Sequence, residues 1–351
     1  LHNRVRRQRQ MCIRDSSNRA RLMFLIFILL LVWLVLAVFA MAIADLFVSV
    51  PASVIPINVQ IIVALFMGVM LKRKIMSGAF LSVVSVVILY FFIWVGSNNP
   101  IVLGSSLSTT EMKNIWIILL FIYSGVASLL PVWVLLQPRD YINSHQLFIG
   151  LSLLFLGVFV AQPEVTAPAV RSLNEPGVPH LFPMLFVTIA CGAISGFHGL
   201  VSSGTSSKQL EKLSDSRIVG YGGMIGEGSL ALVATLAAVA GISLVGHANL
   251  PSVGNVTDLE WHVYYDTWEH ASQNKAAAFV LGGGALLKSL GIPEIFANTL
   301  MAVLVISFAA TTLDTATRIQ RFILNEFGKA SNIPSLSNKI FATSIAVIPA
   351  I

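Results

Sequence analysis

Charged residues are scarce in this chain. Only 11% of its 351 residues are Asp, Glu, Lys or Arg, whereas 56% are hydrophobic and the mean hydropathy is +0.82. Soluble domains carry about a quarter charged residues, so this composition excludes a water-soluble globular protein. The two cysteines, Cys12 and Cys191, are too few and too far apart for a disulfide framework or a zinc site. The composition is that of a polytopic membrane protein.

Motifs for nucleotide binding and for covalent hydrolysis are also missing. The sequence has no G-x-x-x-x-G-K-[S/T] phosphate loop, which leaves an ATP-driven pump without support, and it has no nucleophile elbow. Its formal charge of +6 does not indicate nucleic acid, because the basic residues form short clusters between apolar runs and orient a membrane protein there. His262, Asp266 and His270 have helical spacing but no further ligand in register. We therefore predict no cofactor, no metal and no nucleic-acid partner.

Long apolar runs predict the fold. A run of about 18 or more apolar residues spans a bilayer as a helix, because lipid offers backbone groups no hydrogen-bond partner. The predicted fold class is an all-α polytopic transmembrane helix bundle of about 8–9 spans, with discontinuous helices and one re-entrant or interfacial segment. The predicted spans are 22–44, 55–71, 76–95, 115–136, 146–161, 181–201, 218–246 and 294–312, with a further one beginning near 340.

The re-entrant segment is Ala276–Ile292, which is apolar but short and has three glycines in its middle, Gly282–Gly284. A short span with a locally broken charge bias is the alternative. Leaving this segment out of the count and placing the N-terminal side of residue 22 in the cytoplasm puts 18 of the 22 Lys and Arg residues inside. The sequence thus favours this orientation.

The stretch Ile189–Lys208 has an unusual composition for an apolar run. Its glycines and hydroxyls favour an unwound helix whose free amide groups bind a carboxylate. Gly192 and Gly196 also fit a close-packed G-x-x-x-G face, and His198 alone is compatible with a simple bond to a carbonyl. The predicted substrate-binding residues are Gly196, His198, Ser202, Ser203, Gly204 and Thr205.

Two carboxylates lie in apolar surroundings, Glu227 and Asp314. A carboxylate in hydrocarbon is costly and should face a cavity, a partner or a proton path, and burial raises its pKa toward the range a proton carrier needs. We predict proton coupling by His198, Glu227 and Asp314. For Asp314 the alternative is an i,i+4 pair with Arg318.

Charges at the inner membrane edge are candidate gates. Arg139 and Asp140 follow Pro138 there and form either a structural loop clamp or a gate, with Arg139 expected to extend to water. Lys208 is a further gate candidate. In the outer loop His247–Lys275, aromatic residues at helical spacing predict an interfacial helix or a lid. They are Trp261, Tyr264, Tyr265 and Trp268.

Several segments together match one known family. They are Leu130–Trp133, Pro138–Tyr141, Leu181–Pro183, Ile189–Lys208, Gly220–Met224 with Glu227, and Leu313–Arg318 with Arg321 and Phe322. From about Leu22 to Ile351 the chain resembles the carbon starvation protein A family of bacterial inner-membrane transporters. The resemblance implies uptake of peptides or pyruvate during starvation, driven by the proton gradient, through broken helices. Gly199 stands where the family pattern has Ala or Ser, which implies that the break in this helix is less sharply defined.

The predicted function is a secondary active transporter, not an enzyme, that imports a carboxylate-bearing solute, peptide or pyruvate, with a proton or sodium ion. Its surroundings are the lipid of the bacterial inner membrane. Residues 1–21 are expected to be a non-native or cytoplasmic basic leader, and 22–351 a transporter domain truncated at both ends. Two alternatives are a sensor that binds the nutrient without moving it and an intramembrane hydrolase using Ser202 or Ser203 with His198.

Overall fold

Helices make up most of the described chain. The computed structural model describes residues 18–104, 107–168, 182–183, 186–187, 189–190, 196–207, 210–250, 254–257, 259, 261–265, 267 and 275–351. The helices are α1 Asn18–Ser49, α2 Val54–Lys72, α3 Gly78–Asn98, α4 Thr109–Leu129, α5 Leu136–Ala161, α6 Gly196–Val201, α7 Asp215–Val239, α8 Trp261–Tyr264, α9 Lys275–Lys288, α10 Glu294–Ala330 and α11 Lys339–Val347; the strands are β1 His247–Leu250 and β2 Gly254–Thr257.

Seven of the described helices, α1–α5, α7 and α10, are long and apolar enough to cross a membrane. They coincide with seven of the eight complete spans predicted from the sequence, and the fold class, an all-α polytopic membrane protein, is confirmed. Of the eighth span, 181–201, the structure describes residues 182–183, 186–187, 189–190 and 196–201. α9 and the stretch 339–350 are shorter apolar helices.

Helix α5 begins at Leu136, ten residues before the predicted start of its span. The segment 137–140, which the predicted spans 115–136 and 146–161 left as a linker, is therefore part of the first turns of a helix, and that prediction was wrong. Pro138 is tolerated there because the N–H groups of a first turn have no partner within the helix. The expectation that Arg139 extends to water was also wrong, since its side chain is fully buried.

Helix α10 continues to Ala330, well beyond the predicted end at 312. Arg318 and Arg321 suggested a loop to sequence reasoning because charges usually end a span. In the structure both side chains are buried and donate hydrogen bonds to backbone carbonyls. The helix continues because these arginines have polar partners inside the protein.

The glycine triplet belongs to α9, which has 14 residues. A Cβ at Gly282 would collide with the carbonyl oxygen of Ala237 in α7, and one at Gly284 would collide with the side-chain oxygen of Asn298 in α10. The glycines therefore allow α9 to approach both neighbouring helices closely. That the segment is re-entrant stays a prediction.

The structure describes part of the loop 247–275, for which an interfacial helix or a lid stays a prediction. It begins with an antiparallel hairpin in which His247 pairs with Thr257 and Leu250 with Gly254. Within the described part of this loop, the helical turn α8 carries the first aromatic residues, whereas Trp268 lies outside the described residues. Tyr264 on that turn is fully buried, and this burial raises the pKa of its phenol, which therefore stays neutral at ordinary pH.

The contacts divide the chain into two compact units. The first contains the described residues of Leu1–Ala44, Thr110–Val132 and Ala309–Ile351. Its apolar core joins Leu29 to Leu324, Leu336, Ala342 and Ala346. Trp33 packs on this core and donates its indole hydrogen to the carbonyl of Ala346 at 3.1 Å.

The second unit contains Asp45–Thr109 and Trp133–Phe308. Its helices pack through glycines as well as side chains. A Cβ at Gly96 of α3 would meet the carbonyl of Ala52, and a Cβ at Gly157 of α5 would meet the carbonyl of Leu286 in α9. Backbone-to-backbone approach of this kind is typical of membrane helices, where packing rather than water exclusion holds neighbours together.

Candidate functional site

The helix that begins at Gly196 changes its form at Ser202. Gly196–Val201 is α-helical, and Ser202–Ser206 forms a wider π-helical turn. The hydroxyls of Ser202 and Ser203 both donate to the carbonyl of Gly199, at 3.1 and 2.8 Å. Hydroxyls that bond back to the preceding turn compete with the regular ladder, and π turns are frequent at functional sites. The local sequence thus accounts for an irregular helix.

The glycines of this segment lie in open surroundings. A Cβ added at Gly196 or at Gly199 would meet no described atom within 4 Å. In the described part of the chain, close helix packing therefore does not explain Gly196. The backbone of Gly204 and Thr205 belongs to the π-helical turn, whereas their side chains, and the whole of Lys208, lie outside the described residues.

The structure brings His198 and Glu227 together. The Nε2 atom of His198 on α6 lies 4.0 Å from Oε1 of Glu227 on α7, and the two side chains are 58% and 62% exposed. This distance allows an ion pair but is too long for a direct hydrogen bond. Two titratable groups on different helices thus face each other beside the irregular turn.

The serines of the π-helical turn do not engage the imidazole. Their hydroxyl hydrogens go to backbone carbonyls of Gly199 and Leu200. A nucleophile activated by His198 would instead need its hydroxyl within hydrogen-bond reach of the ring. The described contacts therefore give no support to the hydrolase alternative.

Asp314 lies in the first unit, on α10. Its carboxylate is 2% exposed, and Oδ2 accepts a hydrogen bond from the hydroxyl of Tyr123 on α4 at 2.9 Å. Nearby, the hydroxyls of Ser124 on α4 and Thr317 on α10 form a second hydrogen bond between the same two helices, at 3.2 Å. Asp314 also attracts Arg318, one turn further along the helix. The buried carboxylate of Asp314 thus lies among polar groups, as expected because burial of a charge is unfavourable without such partners.

The two predicted gate residues on α5 have opposite environments. Arg139 is fully buried in the second unit, whereas the neighbouring Asp140 is exposed. Arg139 also takes part in the helix through its N–H, which donates to the carbonyl of Leu135 at 3.1 Å. Burial of the guanidinium fits a clamp between packed helices.

A buried ring of neutral polar groups was missed by the sequence reasoning. Gln60 of α2 donates to the side-chain oxygen of Asn143 on α5, Asn143 donates to the carbonyl of Ser307 on α10 at 3.3 Å, and the Ser307 hydroxyl donates to Gln60 at 2.9 Å. Gln146, one turn after Asn143, is fully buried, and its amide has no hydrogen-bond partner among the described residues. The signal that could have found this ring is an amide side chain within an apolar run.

Comparisons with known proteins are consistent with these features. The profile of one family, described as Carbon starvation protein CstA, matches residues 3–351. The chain is 33% identical over 93% of its length to a peptide transporter CstA of Mycobacterium tuberculosis, of which it covers 48%. It is 38% identical over 60% of its length to the pyruvate/proton symporter BtsT of Escherichia coli, of which it covers 30%.

A third relative is more similar over a shorter stretch. The chain is 43% identical over 34% of its length to a peptide transporter CstA of Bacillus subtilis, of which it covers 21%. The chain spans at most about half the length of these curated relatives. No solved structure shows significant similarity to it.

Proposed function

Because the chain belongs to the carbon starvation protein CstA family, we propose that this protein is a secondary active transporter of that type. It imports a small carboxylate-bearing nutrient, a peptide or pyruvate, across the bacterial cytoplasmic membrane by proton symport during carbon starvation. The observation that carries this proposal is the family match over residues 3–351, with relatives named as peptide transporters and as a pyruvate/proton symporter. The seven long apolar helices fit a multi-pass transporter.

The segment around the π-helical turn is proposed to bind the solute. A widened turn leaves backbone N–H groups outside the regular ladder, where they can bind a carboxylate. Gly196 and Gly199 leave space beside the backbone. The side chain of His198 supplies a donor at the same place.

Glu227 and His198 are proposed to carry the coupling proton. Their 4.0 Å separation allows a proton to pass between them through one bridging water molecule. When the pair takes up the proton, its negative charge is neutralised, which removes a repulsion of the negatively charged solute. Proton and solute binding then assist each other, which is the thermodynamic requirement of symport.

Replacement of Glu227 tests this role. In the full-length protein reconstituted into proteoliposomes, Glu227→Gln is expected to abolish solute accumulation driven by a pH gradient, because the amide cannot take up a proton. Equilibrium binding of the solute at acidic pH should change by less than about tenfold, since the amide resembles the protonated acid. Uptake of labelled pyruvate and of a labelled dipeptide, each with and without the gradient, measures the effect.

Glu211→Gln is the matched control, since Glu211 is an exposed glutamate in the loop before α7. It is expected to keep gradient-driven uptake. A Glu227→Gln protein with unchanged pH-dependent accumulation would remove Glu227 from the mechanism. Binding without accumulation in the unmodified protein would favour the sensor, and replacing the pH gradient by a sodium gradient identifies the coupling ion.

A further inference from the structure

Three buried charges lie on one face of α10. Asp314, Arg318 and Arg321 are spaced by four and then three residues, which places them along one side of the helix over about 10 Å. Their exposures are 2%, 8% and 6%. The cluster belongs to the first unit and uses none of the residues of the proposed site near Gly196.

The two guanidinium groups bind the end of α4. Nη2 of Arg318 donates to the carbonyls of Ala127 and Leu130, at 3.2 and 2.8 Å, and Nη1 of Arg321 donates to the carbonyl of Ser128 at 2.8 Å. The last carbonyls of a helix lack partners within it and carry partial negative charge. The arginines are thereby held in fixed positions.

These bonds leave donors of both arginines unused. The Nε atoms of Arg318 and Arg321 are buried and have no hydrogen-bond partner among the described residues. Nη1 is the one nitrogen of Arg321 with a bond in the described contacts. Its Nε and Nη2 atoms form the planar edge that matches the two oxygens of a carboxylate.

The charges within the cluster do not balance. Backbone carbonyls are neutral, and the carboxylate that acts on Arg318 is Asp314, which also accepts the Tyr123 hydroxyl. Among the described residues of the cluster, one negative charge thus stands against two positive charges. A buried charge without a counter-charge is unfavourable, so the cluster favours an additional anion.

We propose that Arg318 and Arg321 form a second binding site for a carboxylate anion, held by the Nε–Nη2 edge of Arg321, with Asp314 as an internal competitor. Binding at this edge requires the carboxylate to reach the buried Nε atom from the small exposed part of Arg321. The identity of the ligand as a solute carboxylate rests on the proposed function. The placement of the site rests on the arginine geometry alone.

Binding to the purified full-length protein in detergent tests the proposal. The probes are pyruvate and dialanine, with methyl pyruvate and dialanine amide as counterparts that lack the carboxylate, at constant ionic strength. Isothermal titration calorimetry is expected to show saturable binding of at least one acid and none of its counterpart. Equal binding of acid and counterpart would overturn the proposal.

Arginine replacements locate the site. Arg321→Lys keeps the charge but loses the planar edge, and it is expected to weaken binding about tenfold, the loss expected for one charge-assisted hydrogen bond. Asp314→Asn removes the internal competitor and should tighten binding about tenfold at neutral pH. Arg73→Lys, at an exposed arginine after α2, should leave the affinity unchanged.

The outcomes separate this site from the proposed transport. Full affinity in both Arg321→Lys and Asp314→Asn would overturn the second site, while proteoliposome uptake would still report on transport. Shifted affinities in a protein that accumulates no solute would overturn the transporter and keep the site. If circular dichroism shows that Arg321→Lys does not fold, the affinity of Asp314→Asn tests the second site, and an unchanged affinity overturns it.

Discussion

At the scale of single residues, the buried amide ring shows how polar groups are accommodated in the second unit. Gln60, Asn143 and Ser307 are each at most 2% exposed, and each bonds to the next. A buried polar group is tolerated when its hydrogen bonds are satisfied. The ring therefore stabilises one arrangement of α2, α5 and α10 rather than merely filling space.

Removal of one member should leave the others unsatisfied. Gln60→Leu is expected to lower the free energy of unfolding by about 1–3 kcal/mol, because Asn143 and Ser307 each lose a buried partner. Denaturant unfolding of the protein in detergent micelles, followed by tryptophan fluorescence, measures the change.

Gln137→Leu is the matched control, since Gln137 is exposed at the start of α5. It should change the free energy of unfolding by less than about 0.5 kcal/mol. Equal effects of the two replacements would show that the ring does not contribute to stability.

The sequence indicated some of these residues and not others. His198, Glu227 and Asp314 could be selected because ionisable groups in apolar runs are rare and expensive. An amide within an apolar run could have marked single members of the ring, but not their pairing, since Gln60 lies 83 positions from Asn143 and 247 from Ser307. Pairing over such separations depends on helix packing, which composition does not reveal.

At the scale of helices, the packing of α9 against its neighbours depends on its three consecutive glycines. Gly282 lies against the carbonyl of Ala237, and Gly283 lies against the side chain of Met301. The sequence predicted a short apolar segment here but not the reason for the glycines. Their role is close approach between helices.

A methyl group added in this contact should therefore be destabilising. Gly282→Ala is expected to lower the free energy of unfolding by about 1–3 kcal/mol, because α9 must move away from the backbone of Ala237. Thermal unfolding in detergent, monitored by intrinsic fluorescence, measures the shift.

The control for this change lies on α7. Gly226 has no described atom near its added Cβ. Gly226→Ala is expected to raise stability by about 0.5–1 kcal/mol, the gain for replacing glycine within a helix. Equal changes in the free energy of unfolding for Gly282→Ala and Gly226→Ala would contradict the close contact between α9 and α7.

Helix ends were predicted less well than helix existence. Seven spans were located from hydropathy alone, because a run of apolar residues needs no knowledge of its neighbours. The start of α5 and the end of α10 were misplaced because Arg139, Arg318 and Arg321 were assumed to lie in water. Buried polar partners overrode that assumption for Arg318 and Arg321.

At the scale of the whole molecule, the distribution of basic residues predicts the orientation in the membrane. The end of α2 and the segment that follows it hold Lys72, Arg73 and Lys74 and should face the cytoplasm. Asn99, directly after α3, should then lie on the outer side.

Cysteine accessibility checks this orientation. In a background with Cys12 and Cys191 replaced by Ser, Asn99→Cys is expected to react with a membrane-impermeant maleimide in intact cells. Met76→Cys, in the loop before α3, should react only after the membrane is permeabilised. The reverse pattern would contradict the predicted topology.

The bonds between α10 and the end of α4 limit how the first unit can change shape. Arg318 and Arg321 join the two helices through three charge-assisted hydrogen bonds, each contributing about 1.5–3 kcal/mol. Sliding one helix along the other would break all three at once. These bonds therefore fix the register of the two stretches of chain, which can shift together but not past each other.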